Sequence, residues 1–476
     1  MRKILFLTLV VLLVFCLFAC NGKKEIDPDI EYVIDLVLED NVISAKQTVS
    51  YDNYLGDNLC ASVFHLYPNC YREDAVNPAY KVPLSTYGGI DVKSVTVDGN
   101  NADIEYSDNK EYVIVNHKEL KKGEEIDITF EYTVNLAECG LRLGYYDGYY
   151  NLSNFYPQLA YAEEGAFRLD DYFSVGDPFV SEIADYTVNL TCDKNMVVAS
   201  SGKINSTTDG SDKQTISTSG VDMRDYCMVL NSDFQVLSDK VGDTNVYYFY
   251  EEDENAQDTL NLAVSALKTF SDTFGKYQYP TYSVVRTPFD YEGMEYSGLV
   301  YVSTLSKDVP TTVIHETAHQ WWYGMVGSDS IKESVLDEGL VTFCTAYYKK
   351  LIGSEDKFNE EMKAISRAYT RYEKLQSMRK DKLDLSMDNP IYDYVEYQYY
   401  MVIYNKGAMM FDNLYRIYGE NKFNAFLKYY FDEFNGKVAS LEDMKKCAEK
   451  KLGSDVTGLI NGWLCGGGIA TTFSAS

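Results

Sequence analysis

From Ile30 to about Tyr250, apolar and polar residues alternate in short runs: "EYVIDLVLE", "DVKSVTVDG", "EYVIVNH", "EIDITFEYTV", "DYTVNLTC", "MVVASSG" and "NVYYFYEE". A period of two bounded by Gly, Asn and Asp predicts strands with one buried face, arranged as an antiparallel β saddle or sandwich. The polar stretch "SGKINSTTDGSDKQTISTSG" predicts a hairpin inside that region. After Glu251 the period lengthens. "NAQDTLNLAVSALKTFSDTFG" carries apolar residues at helical spacing and stops at Gly275. Two strand candidates follow, "YSVVRTPF" and "GLVYVS", with "DYEGMEYS" as the link between them. Asp308 and Pro310 suit the cap and first turn of a helix. Ser330 and Glu333 have capping-box spacing, and helices are predicted from there to the end. The pattern gives an α+β multidomain chain, with a β domain over 30–248 and a mixed α/β domain with a helical C-terminal part over 249–476.

The first residues read as an address. Arg2 and Lys3 precede an apolar run from Ile4 to Ala19, which is shorter than the roughly 20 residues of a membrane-spanning helix. A cleaved export signal over 1–19 is expected. The run ends in "LFAC" before a polar "NGKKEIDPD", and this resembles the lipobox of bacterial lipoproteins. The resemblance implies that Cys20 is lipidated, that 20–29 is a linker, and that the chain sits on the outer face of the cytoplasmic membrane. The anchor would then be its only membrane contact. Loss of 1–19 removes two positive charges and moves the formal balance from −29 to −31. So acidic a surface repels nucleic acid, which excludes it as a partner. Of ten cysteines, Cys16 and Cys20 belong to the signal and anchor. Cys60 with Cys70 and Cys447 with Cys465 are conceivable bridges that spacing alone cannot pair.

Only four histidines occur in 476 residues, and two of them stand in "VIHETAHQWWYG". Residues i and i+4 of a helix share a face, so His315 and His319 can grip one ion while Glu316 sits beside it. No histidine follows His319, which leaves a carboxylate as third ligand. Glu338 in "SVLDEGLVTF" lies far enough along for one helix to end, turn near Gly327 to Asp329, and a second to return alongside. Asp337 is the neighbouring alternative, but consecutive helical positions diverge by about 100°, so it is expected to be solvated or to support a ligand. Two imidazoles and one carboxylate define a catalytic zinc site with an open position. Glu316 would be the general base. A developing oxyanion needs a donor, and a tyrosine, arginine or lysine must supply it.

These features resemble the gluzincin aminopeptidases typified by aminopeptidase N and leukotriene hydrolase. The resemblance rests on "HETAHQWWYGMVG", on Glu338 within "LDEGL", on "GMEYSG" and on "IYNKGAMMFDNL". It is weaker through "NFYPQLAYAEEG" and "VGDPFVSEIADYTVNL". It implies a thermolysin-like catalytic domain, one Zn2+ per chain held by His315, His319 and Glu338, Glu316 as base, and Tyr404 as oxyanion donor. It also implies that Glu295 binds the substrate's free α-amine, with Gly293 and Met294 offering backbone contacts. Glu292 and Tyr296 depart from the family's glycine and asparagine. Gln158 is a candidate for its substrate-binding glutamine. The chain ends soon after "LINGWLCGGG", so a more open cleft than in long relatives is expected. The expected activity is zinc-dependent removal of N-terminal residues from peptides. The alternatives are a zinc endopeptidase and a catalytically silent surface lipoprotein that binds peptides.

Overall fold

The computed structural model describes residues 29–465; the expected export signal and Cys20 lie outside them. Among the described residues no helix is long and apolar enough to cross a membrane. Ile30–Glu39 buries Ile30, Tyr32, Ile34, Leu36 and Leu38 and exposes the residues between, as alternation requires. It lies within an eight-stranded sheet running from the hairpin Lys203–Asp209 and Lys213–Met223 to Asn100–Asn101. All pairings in that sheet are antiparallel except that of Ile30–Glu39 with Ala184–Asp193, which is parallel. Two four-stranded sheets and one two-stranded sheet complete the β region.

The strands Gln235–Val241 and Thr244–Tyr250 alternate like the rest, yet they enter a different sheet. Thr244–Tyr250 pairs in parallel with Thr281–Thr287, which pairs in parallel with Leu299–Ser303. Gly293–Tyr296 closes this five-stranded sheet as an antiparallel edge strand. The segment expected as a link is therefore itself a strand. Its residues gain a ladder with Leu299–Ser303 that four residues of mixed character do not advertise.

Helix Ala256–Thr273 and helix Val309–His319 pack together beside this sheet, and Glu338–Leu351 packs on Val309–His319. Asp308 caps the second of these, accepting from the Thr311 amide at 3.2 Å, with Pro310 in its first turn. The tryptophans after the motif lock its end. Trp321 is fully buried against Phe270 and Phe274 and donates its indole N–H to the Gly275 carbonyl at 2.9 Å. Truncating so large a buried side chain costs about 3–5 kcal/mol.

Two local expectations give way here. Val326–Ser328 is a short strand paired with Lys437–Ala439 instead of a turn. Ser330 caps no helix, because Asp329 accepts the Ile331 and Lys332 amides and the Glu333 carboxylate accepts the distant Leu441 amide. The next α-helix starts at Glu338. The eight described cysteines are all free, so neither conceivable bridge forms.

Candidate metal centre

His315 and His319 lie one turn apart on Val309–His319, His319 buried and His315 partly so. Each ring is oriented by its Nδ1. The Thr345 hydroxyl donates to the Val341 carbonyl at 2.8 Å, which leaves its oxygen to accept from His315 Nδ1–H at 3.2 Å. His319 Nδ1 lies 2.6 Å from Asp337 Oδ1. With both Nδ1 positions taken as donors, the two Nε2 atoms carry lone pairs, and these point at each other across 3.2 Å. Glu338, the first residue of its helix, brings Oε2 to 3.3 Å from His315 Nε2 and 3.4 Å from His319 Nε2. That oxygen is buried and accepts no hydrogen bond.

Three lone-pair donors facing one point repel each other unless a cation stands between them. A tetrahedral ion with bonds of about 2.1 Å needs its ligands about 3.4 Å apart, which is the separation found. Burial pushes the carboxyls of Glu316 and Glu295 well above the ordinary range and that of Asp337 up to about 6. On Glu338 burial acts the same way, but the facing imidazoles outweigh it and hold the carboxyl below that range. Burial disfavours charge on His319 too, yet Glu295, Asp337 and Glu338 together drag its pKa well upward. A divalent ion held by His315, His319 and Glu338 would take the place of the proton they demand.

Asp337 is thus buried and supports a ligand, which excludes the solvated option for it. Tyr404 lies in a π-helical turn, Tyr400–Lys406, an irregularity common at functional sites. Its phenol donates to Glu338 Oε1 at 2.5 Å, and its ring stacks on that of His315. Glu316 faces the same cleft, with Oε2 buried and unpartnered. A Cβ on Gly293 would collide with the Glu316 carboxylate, so the glycine makes room for it.

The cleft measures about 480 Å³. Gly293, Met294 and Glu295 line it from the edge strand, and Glu292 lines it with an exposed side chain. Glu295 is buried, with Oε1 unpartnered. Gln158 is not among the lining residues. Its side chain accepts from Asn154 at 3.2 Å and its backbone pairs with His65, so the expected substrate role does not fit its place. Sequence reasoning missed Arg142 and Asp177, which enter the cleft from the β region as an ion pair. Asp177 belongs to the "VGDPF" run, and that was the available signal.

This is the donor set and support of a gluzincin-type metal centre on a mixed α/β scaffold. Residues 258–463 match the Peptidase family M1 domain model, and that part of the chain is similar to the aminopeptidase N-type gluzincins. It is 26% identical over 238 residues to alanine/arginine aminopeptidase of Saccharomyces cerevisiae, covering 46% of this chain and 27% of that one. With leucine aminopeptidase 2 of Coccidioides immitis it shares 26% over 199 residues, covering 40% and 31%. The matches thus span about a third or less of these relatives' lengths. Over nearly its whole length the chain has the fold of an M1 zinc metallopeptidase from Deinococcus radiodurans, with TM-score 0.69, 18% identity, and coverage of 95% of this chain and 97% of the other. A mutant of that enzyme bound to a Tyr-Ser-Ala substrate fits with TM-score 0.69 and 18% identity, covering 93% and 95%.

Proposed function

We propose that this protein is a zinc-dependent aminopeptidase that removes N-terminal residues from peptides. One observation carries the reading: the three-donor centre shares a cleft with Glu295, a buried carboxylate whose Oε1 has no partner. A buried charge without a partner is costly, and a substrate's α-ammonium supplies the missing one. His315, His319 and Glu338 would hold the zinc, which when bound polarises the scissile carbonyl and makes water acidic enough to attack at neutral pH.

The chain's own groups do the rest. Glu316 takes the proton of the attacking water on its carboxylate and passes it to the departing amine nitrogen. The Tyr404 O–H turns from Glu338 Oε1 toward the carbonyl oxygen as negative charge grows there. The edge strand Gly293–Tyr296 has one side paired and the other toward the cleft. Its backbone can therefore take up an extended peptide as a further strand. The acceptor Glu295 then fixes where the N-terminus lies, so that cleavage falls after the first residue.

The test is hydrolysis of an alanyl tripeptide by the zinc-loaded protein alongside its N-acetylated form. Free-amine substrate is expected to turn over and the blocked form to resist; equal cleavage of both would establish the endopeptidase instead. Export and lipid anchoring at Cys20 are proposed from the sequence of residues 1–20. Incorporation of labelled palmitate by the producing cell, abolished in Cys20→Ala, is the matching result.

A further inference from the structure

An enzyme that anchors a free amine and cuts one residue further on must fix the distance between its amine acceptor and its metal. Glu295 lies on the edge strand Gly293–Tyr296, while His315 and His319 lie on the helix Val309–His319, and the two elements pack together. At polar atoms they are tied through one turn. Ser297 and Gly298 join the edge strand to Leu299–Ser303, and this turn is gripped twice. Gln320, the residue after His319, accepts from the Gly298 amide at 2.8 Å and donates to the Tyr296 carbonyl at 2.9 Å. The second grip comes from the β region. One oxygen of Asp225 accepts from the Ser297 amide at 2.8 Å, and the other accepts from the hydroxyl of Tyr323, four residues beyond His319.

Arg224 doubles the link. Its amide donates to the Ser297 hydroxyl at 3.2 Å, and its Nε donates to the Tyr323 carbonyl at 2.8 Å. Nη1 and Nη2 donate to the Ser181 carbonyl at 2.6 Å and the Lys437 carbonyl at 3.2 Å. A Cβ on Gly327 would collide with this guanidinium, and one on Gly298 would come within 2.8 Å of the Ser201 carbonyl. Both close approaches therefore need glycine. Burial, the Asp225 carboxylate and Glu295 all push the Tyr323 phenol well above its usual range, so it stays a donor. Arg224 and Asp225 are buried, and neither is among the residues that line the cleft.

We propose that Asp225, with Arg224 beside it, is a positioning residue that sets the spacing between the metal centre and the amine-binding edge strand. It acts through Ser297 on the strand side and through Tyr323 on the helix side. This rests on the aminopeptidase reading and deepens it, because the β region then takes part in deciding where cleavage falls. A buried carboxylate with one donor on each oxygen is a stiff joint, since either bond lost leaves charge without a partner. A neutral apolar contact at the same place would let the strand shift against the helix.

The experiment compares an alanyl tripeptide with its β-alanyl counterpart, whose amine lies one carbon further from the scissile carbonyl, as substrates of the zinc-loaded protein. The ratio of their kcat/KM values reads the spacing and does not depend on the folded fraction. The unaltered protein is expected to prefer the alanyl peptide. Asp225→Ala is expected to shrink that preference about 10-fold, with zinc still near one per chain. Asp225→Asn should restore it, because the amide oxygen accepts from Ser297 and the amide NH2 can meet the Tyr323 oxygen. Should Asp225→Ala fail to fold, Tyr323→Phe cuts the helix side of the link alone and is expected to shrink the preference in the same direction. A preference unchanged in both variants, whether activity is kept or falls equally for the two peptides, overturns the proposal and marks Asp225 as structural only. If the unaltered protein cleaves alanyl, β-alanyl and N-acetylalanyl peptides alike, the aminopeptidase reading falls and the proposal with it.

Discussion

The two ends of the cleft are built differently. At the metal end, three side chains project from two packed helices, and each is held by a partner close by: Thr345 for His315, Asp337 for His319 and Tyr404 for Glu338. At the amine end, an edge strand meets a loop from the β region, and the charged groups there are Glu295, whose Oε1 has no partner, and the Arg142–Asp177 ion pair. A divalent ion binds productively only when its ligands are fixed within tenths of an ångström, and helices provide that. An ammonium tolerates a looser cage, so strands and loops suffice. Changes at the metal end are therefore expected to alter metal content or turnover, and changes at the amine end to alter which substrates bind.

The largest effect should come from removing a ligand. His319→Ala deletes one of three donors and leaves Asp337 and Glu338 facing each other with no cation to share. Zinc after dialysis is expected to fall to background by elemental analysis, and peptide hydrolysis with it. Full occupancy in this variant would move the metal elsewhere and erase the contrast between the two ends.

Glu316→Gln comes next. Glu316 is not among the facing donors of the centre, so zinc should stay near one per chain while kcat drops about 10²- to 10⁴-fold. Loss of zinc together with turnover would make Glu316 a ligand instead of a base. Tyr404→Phe is expected to lower kcat about 10²- to 10³-fold with KM little changed, since the phenol meets the carbonyl oxygen only as charge builds. Glu338 Oε1 loses its donor in that variant, yet Oε2 still faces both imidazoles, so zinc should be retained. A rise in KM alone would assign Tyr404 to binding.

The metal end was legible in the sequence for a physical reason. Four-residue spacing on a helix decides which side chains share a face, so His315 and His319 announce themselves without any knowledge of the rest of the fold. Glu338 follows by elimination, because the helix that carries it has to return alongside. The amine end gave only part of itself away. Glu295 came from a resemblance in "GMEYSG", but that the surrounding segment is an edge strand was not visible, as its partner ladder lies in Leu299–Ser303. Asp177 and Arg142 stand 35 positions apart, in a stretch where no period predicts a meeting. The false cap at Ser330 has the same origin, since Glu333 found Leu441 more than a hundred residues away. Local pattern fixes local geometry, and contacts between distant segments override it wherever one of them offers a better partner.

The smallest expected effect sharpens the comparison most, because it asks whether the metal end depends on a residue that does not touch the metal. Asp337 Oδ1 lies 2.6 Å from His319 Nδ1, whose N–H is also met by the Trp322 carbonyl at 3.3 Å. These contacts fix the tautomer, so that Nε2 carries the lone pair, and the negative charge of Asp337 makes the imidazole a stronger donor. Asp337→Asn keeps an oxygen that can accept the same hydrogen and loses the charge. The ring should therefore keep its orientation while zinc affinity falls about 10- to 100-fold, read by competition against a chelator of known strength. The free-amine preference should remain as in the unaltered protein, because Glu295 is untouched. If Asp337→Asn instead weakened discrimination between free and blocked amines with zinc affinity intact, the two ends would be one electrostatic unit, and the division of labour drawn between them would be wrong.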